Sequence, residues 1–418
     1  MRILKVTQSY APFFEFGGPP VKVRALAEGL AARGNQVTVL TSDWGLDKRL
    51  QDLPNDPRAV PGPFGPKQEV NGVTAIYLPN WLHYHAISWN PALGRYLRAR
   101  VDNFEVVHIF GLYDFLGISV ASECRRRKIP YVVEPIGMFV PIVRNVRLKR
   151  LYHRVFGQKL LAGAAAIIAT SEQERMELVG GGTAGEKIVI RRNGVSIPDT
   201  LPARGAFRNT LGIAADAKLI LFLGRLSKKK SPELLLEAFA TVCQELQTLQ
   251  SKLQLAFVGP DESGMRARLA ARTSQLGLSA QVHFVKPLSG MAKWSAYRDA
   301  DIFVLPSQNE NFGNTAAEAV VAGTPVLLTD RCGIAPRIAD VAGLSVSCDR
   351  DSLSLGMQRL LTEDALYRKL KNGCSIVVTS LDWRQPVQEM EELYRTLAGL
   401  RKVEDNRQSD AQFRKTPK

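Results

Sequence analysis

Short apolar runs alternate with amphipathic segments along the whole chain. Runs of strand length stand at ILKVT (3–7), VTVLT (37–41), VTAIYL (73–78), VVHIF (106–110), YVVE (131–134), AIIAT (166–170) and IVI (188–190). They resume at LILFLG (219–224), LAFVG (255–259), VHFV (282–285), DIFVL (301–305), PVLL (325–328) and LSVS (344–347). Between them lie segments with helical spacing, such as PVKVRALAEGLAARG (20–34) and SPELLLEAFATVCQEL (231–246). This alternation predicts parallel sheets flanked by helices, in two α/β halves. The Pro- and Gly-rich stretch NGVSIPDTLPARG (193–205) is the candidate linker. The domains expected are 1–200 and 201–380, followed by an amphipathic helix over 381–400 and a polar, disordered tail over 401–418. PNDPRAVPGPFGP (54–66), with its prolines, reads as a loop.

Composition narrows the class. At 418 residues, 45% hydrophobic and 23% charged, the chain reads as a soluble globular protein with two cores. The apolar run AGAAAIIA (162–169) is too short to span a bilayer, and MRILKVTQS carries no signal-peptide core. A cytoplasmic location follows as the expectation. Cysteines 124, 243, 332, 348 and 374 show no C-x-x-C pair and no metal spacing, and buried thiols in a reducing cytoplasm are the simplest account. The net charge is +15, and the first 200 residues carry more than half of the excess. Nucleic acid, an anionic membrane or a phosphate-bearing substrate would each suit a basic chain, but no recognised nucleic-acid module appears.

Candidate chemistry concentrates in SQNENFGNTAAEAVVAGTPVLLTD (307–330). Glu310 falls in the loop after a strand. Asn314 or Thr315 is placed to cap a helix, with Glu318 in its first turn. A helix N-terminus between two carboxylates offers donors to a phosphate and acceptors to hydroxyls; the plainer alternative is a solvated acidic pair. In LFLGRLSKKKSPELLLEAF (221–239), Arg225 and Lys230 follow a strand's carboxyl end, where open α/β sheets bind ligands. An Arg fork and a Lys point charge there suit a diphosphate, although Lys228 and Lys229 also fit a solvated loop. Gly17 and Gly18 precede a helix after the first strand, as an anion site or a plain turn. His108 ends a strand, as a base, a hydroxyl ligand or a core residue; its pattern alone favours a structural histidine. RNVRLKRLYHRVFGQK (144–159) reads as a basic amphipathic helix, for an anionic membrane or for packing on its own domain.

Taken in order, YAPFFEFGGPPVKV, FEVVHIFG, IPYVVEPIGM, AAAIIATSEQE, RRNGVSI, LFLGRLSKKKSPELLLEAF, FVGP, DADIFVLPSQNENFGNTAAEAVVAGTPVL and DWRQPVQEMEELY resemble the family 4 glycosyltransferases of GT-B fold. The resemblance covers residues 1 to about 397. It implies two Rossmann-like α/β/α domains facing across a cleft, the first binding an acceptor and the second a UDP- or GDP-sugar, with the closing helix crossing back. It implies that Arg225 and Lys230 hold the donor diphosphate, Glu318 the ribose, and Glu310 with the backbone of Asn311, Phe312 and Gly313 the donor sugar. The resemblance further places Asn314 and Thr315 at the donor site, Gly17 and Gly18 on the phosphates, and His108 on the acceptor side. The implied activity is retaining transfer of a hexosyl group with no cofactor and no metal expected. The acceptor would be a glycan or lipid-linked glycan of cell-envelope or exopolysaccharide synthesis, with the enzyme peripheral at the inner membrane face. A small soluble acceptor, a GT-B sugar-nucleotide epimerase and a non-catalytic binding subunit are the alternatives. Two departures stand out: Ile136 occupies a position where relatives often carry histidine, and Lys286-Pro287 follows VHFV where glycine is common.

Overall fold

A computed structural model describes residues 1–51, 58–84, 87–139, 152–248 and 250–413; the side chains of residues 15, 82–84, 87 and 402–413 are not described. The chain forms two compact units, Met1–Gly194 with Trp383–Lys418, and Val195–Asp382. The first boundary falls within the Pro- and Gly-rich 193–205 segment.

The first unit holds an eight-stranded sheet in the order β10-β9-β8-β7-β1-β2-β4-β3. Its strands are β1 (Arg2–Thr7), β2 (Gln36–Ser42), β3 (Lys67–Val70), β4 (Val73–Leu78), β7 (Val106–Phe110), β8 (Tyr131–Glu134), β9 (Ala166–Ala169) and β10 (Ile188–Ile190). Only β3 runs antiparallel, as an edge paired to β4. Its sequence, KQEV, is too polar to stand out as a strand; a neighbour, not its own pattern, makes it one. A separate hairpin, β5 (Leu82–Tyr84) with β6 (Ile87–Trp89), was also not expected. Trp81 and Trp89 at its base are 79% and 64% exposed, and the Trp81 N–H donates to the Trp89 carbonyl at 3.2 Å.

The second unit is a six-stranded, wholly parallel sheet in the order β13-β12-β11-β14-β15-β16. The strands are β11 (Lys218–Leu223), β12 (Leu253–Val258), β13 (Val282–Val285), β14 (Ile302–Leu305), β15 (Val326–Thr329) and β16 (Gly343–Val346). Leu219 and Leu221 enter one core while Ile220 and Phe222 enter the other, so β11 is apolar throughout because both faces are buried. The strand order reverses between β11 and β14, which sets the loops after these strands side by side at a topological switch point.

Residues 144–151 of the basic segment 144–159 lie outside the described residues. Its described end continues through a π-helical turn, His153–Gly157, into a short helix, Gln158–Ala162. The closing helix runs Arg384–Phe413, past the expected end at residue 400 and into the stretch expected to be disordered. Polarity suggested disorder, but VEDNRQSDAQF contains no proline or glycine to stop a helix once begun.

Candidate functional site

In the second unit the loop after β14 is stitched to the loop after β15. The Glu310 N–H donates to the Arg331 carbonyl at 2.9 Å, the Gly333 N–H returns to the Glu310 carbonyl at 2.8 Å, and the Ile334 N–H donates to the Phe312 carbonyl at 2.8 Å. Phe312 is buried beneath this loop. Gly313 follows at φ +105°, a conformation that side chains disfavour, and a Cβ there would meet the Ile334 side chain at 3.0 Å. That turn starts the Asn314–Val321 helix. Two expectations change here. Gly313, not Asn314 or Thr315, holds the cap position, and no side chain caps the helix. Glu318 lies beyond the first turn, which contains no acidic residue. The opening N–H groups at Asn314 and Thr315 therefore lack a side-chain acceptor from a cap, the condition in which a helix end receives an anion.

Lys230 sits in the 3-10 turn Lys228–Lys230 after β11 and pairs with Glu310. The Gln308 N–H, donating to the Lys229 carbonyl at 3.0 Å, fastens the two loops together. Ser231 then takes φ +48°, rare for a non-glycine, and opens the Pro232–Glu245 helix. Arg225 is 57% exposed and stands 3.9 Å from Glu262. Its loop is pinned by the Leu226 N–H to the Pro260 carbonyl at 2.9 Å. The Glu318 carboxylate is gripped at both oxygens: Lys293 Nζ reaches Oε1 at 2.7 Å and the Tyr297 hydroxyl reaches Oε2 at 2.8 Å. Thus Lys230 and Glu310 are brought into contact, while Arg225 and Glu318 have other partners. Lys293 and Tyr297 escaped the sequence reading; their spacing of four on the helix before DADIFVLP was the available signal.

In the first unit, Gly17 takes φ +94°, ψ −140° and caps the Gly18–Ala32 helix, which Pro19 and Pro20 open. His108 has no exposed surface in this unit. Its Nδ1 lies 2.5 Å from the Tyr394 hydroxyl and its Nε2 lies 3.7 Å from Glu134. Burial, followed by the charges of Lys5, Arg191 and Lys22, pushes its pKa well below the ordinary histidine value. It is a neutral core residue at physiological pH.

His108 belongs to a buried polar cluster that apolar patterning did not reveal. Glu134 accepts from Lys22 Nζ at 2.7 Å and from Arg191 Nη2 at 2.7 Å. Lys5 reaches the Tyr394 hydroxyl at 3.3 Å. Burial would raise the Glu134 carboxyl, but Arg191 and Lys22 outweigh it and hold its pKa below the usual value. Burial, reinforced by Arg191, lowers Lys5 to about 7. Among the described residues, no group of His, Cys, Asp and Glu side chains is arranged to hold a metal ion. No helix is long and apolar enough to cross a membrane among those same residues.

Comparison with known proteins gives a consistent result. Residues 203–374 match the family model of glycosyl transferases group 1, and residues 17–194 match that of the glycosyl transferase 4-like domain. A D-inositol 3-phosphate glycosyltransferase of Actinosynnema mirum is 35% identical, covering 80% of this chain and 81% of its own. Among solved structures, a sucrose-phosphate synthase from Thermosynechococcus elongatus superposes with a TM-score of 0.74 at 22% identity, covering 96% of this chain and 99% of its own. The Anabaena protein HepE in complex with UDP gives 0.73 at 17% identity, covering 95% of this chain and all of its own.

Proposed function

The chain belongs to the group 1 glycosyltransferases, the family 4 type of GT-B fold, and from that premise we propose that it is a retaining enzyme moving a hexosyl group from a UDP- or GDP-sugar to a glycan or lipid-linked glycan. The observation that carries this reading is the Lys230–Glu310 pair, held where β11 and β14 part at the switch point of the second sheet. A cation and a carboxylate in contact match the two ends of a sugar diphosphate. Lys230 meets the diphosphate, joined by Arg225, and Glu310 accepts from the sugar hydroxyls. The uncapped start of the Asn314–Val321 helix supplies N–H donors and a positive dipole end on the same loop. HepE was solved with UDP and with UDP-glucose, which supports a nucleotide-sugar donor here.

The chemistry follows from charge. As the bond between the anomeric carbon and the diphosphate oxygen breaks, negative charge collects on the diphosphate. Fixed cations stabilise that charge more in the transition state than in the bound donor. The acceptor oxygen forms its bond on the face the diphosphate leaves, and its proton passes to the departing diphosphate. No metal and no strong protein base enters this scheme. It also leaves no role for His108, which is buried and neutral.

The net charge of +15 and the exposed Trp81 and Trp89 support an acceptor presented at an anionic membrane surface. A small soluble acceptor is the second reading, favoured by the names of the Actinosynnema and Thermosynechococcus relatives. A panel of UDP-, GDP- and ADP-sugars, read by nucleotide release, tests the donor assignment; no release from any of them, with or without acceptor extracts, would overturn it. The anomeric configuration of the product, read by NMR, tests retention. Co-sedimentation with anionic vesicles at physiological salt separates the two acceptor readings.

A further inference from the structure

The grip on Glu318 is more elaborate than a surface ion pair needs. Lys293 and Tyr297 lie one turn apart on the Gly290–Asp299 helix, so both project from one face. Tyr297 is fully buried, with its ring 5.7 Å edge-on from Phe303 and 5.9 Å from Trp294. Its carbonyl accepts the Thr324 hydroxyl at 2.6 Å, which fixes the helix at that residue. Burial first, and the Glu318 charge second, push its phenol far above the ordinary value, so it remains an O–H donor. Lys293 Nζ also rests over the Trp294 ring at 5.5 Å. The side chains of Lys293 and Glu318 keep 25% and 16% of their surface exposed, so the carboxylate is reachable. An ionised carboxylate offers about four lone-pair positions. One on each oxygen is filled, and one on each oxygen remains.

Two free positions on separate oxygens, in a plane that cannot turn, suit two adjacent hydroxyls. We propose that Lys293 and Tyr297 are positioning residues that set Glu318 to accept both hydroxyls of a ribose cis-diol, so that these side chains together select ribonucleotide over deoxyribonucleotide donors. The proposal rests on the assignment of Glu318 to the donor ribose. A merely structural pair would hold the helices together, and its loss would weaken every nucleotide alike.

The test is calorimetric titration of UDP and GDP, each against its 2′-deoxy form, into the full chain. A hydrogen bond to a charged acceptor corresponds to a wild-type preference for the ribo form of about 10-fold or more. In Tyr297→Phe and in Lys293→Met the preference falls to about 3-fold or less, with ribo binding weakened more than 2′-deoxy binding, which has only the 3′-hydroxyl contact to lose. Lys293 is partly exposed, so Lys293→Met keeps the test decisive even where Tyr297→Phe is poorly folded. Retention of the full preference in the variants overturns the proposal, as does equal weakening of both nucleotide forms. Glu318→Gln separates the two layers of the argument. If it abolishes the preference while the other variants keep it, only the positioning role fails. If Glu318→Gln keeps the preference, or if the wild-type protein shows none, the ribose assignment fails and the positioning role with it.

Discussion

Replacing Glu134 by glutamine changes one charge and almost no volume, which makes it a clean probe of the buried cluster. Glu134 has no exposed surface, and it is the carboxylate on which Lys22 and Arg191 both close at 2.7 Å. Arg191 is itself fully buried, and Lys22 nearly so. Removing the anion from such an arrangement leaves its cations buried without a counter-charge, which costs about 3–5 kcal/mol. For a unit of this size that corresponds to a fall in melting temperature of roughly 6–20 °C. Calorimetry of the full chain, with urea unfolding followed by circular dichroism, would read it as an early transition of the first unit. The triple variant Lys22→Met, Glu134→Leu, Arg191→Met should recover most of the loss, because a well-packed apolar replacement also removes the cost of burying the charges. If Glu134→Gln unfolds within about 1 kcal/mol of wild type, burial and pairing do not govern this cluster and the reasoning fails.

Lys5, lowered to about 7 in the folded protein against 10.5 for the free side chain, makes a pH prediction. Between those values the unfolded chain binds more protons than the folded one, so stability rises with pH from about 7 towards 10. Denaturant titrations at intervals across that range should show the rise in wild type and a flatter profile in Lys5→Met. Gly313→Val forces a branched side chain into φ +105° against Ile334, and should reduce sugar-nucleotide turnover at least 10-fold; an unchanged rate would show that the turn tolerates a side chain. Lys230→Ala and Arg225→Ala should each lower turnover about 100-fold or more, read by nucleotide release, and wild-type rates in either would remove the leaving-group assignment.

The two parallel sheets were legible because their strands are buried on both faces and so appear as unbroken apolar runs. β3 and the β5–β6 hairpin were not, since each depends on a partner strand more than on its own composition. Lys230 and Glu310 could be foreseen as neighbours because strand ends converge at the switch point. The grip on Glu318 could not, because Lys293 and Tyr297 look like ordinary residues of an amphipathic helix until the fold brings Glu318 against them. His108 shows the reverse case. Its pattern alone favours a structural histidine and only the family resemblance places it on the acceptor side; its face of the sheet lies under the Gly18–Ala32 and closing helices, where it is buried. The cap of the Asn314–Val321 helix lies one or two residues before the expected Asn314 or Thr315, because Gly313 can enter the left-handed region and take that position.

The chain leaves its first unit at Gly194, builds the second, and returns at Trp383. The two connections meet side by side, the Val195 N–H donating to the Leu381 carbonyl at 2.6 Å. Val387, Met390 and Tyr394 on the closing helix complete the core of the first unit. During synthesis, therefore, the part made first is finished last. At ribosomal speeds of about 5–20 residues per second, the first sheet waits roughly 10–40 s for the helix that covers it. The second unit, continuous in sequence, can fold entirely within that interval. The waiting face carries Lys5, His108 and Glu134 among its apolar residues, and the arriving helix brings the Tyr394 hydroxyl that meets both Lys5 and His108.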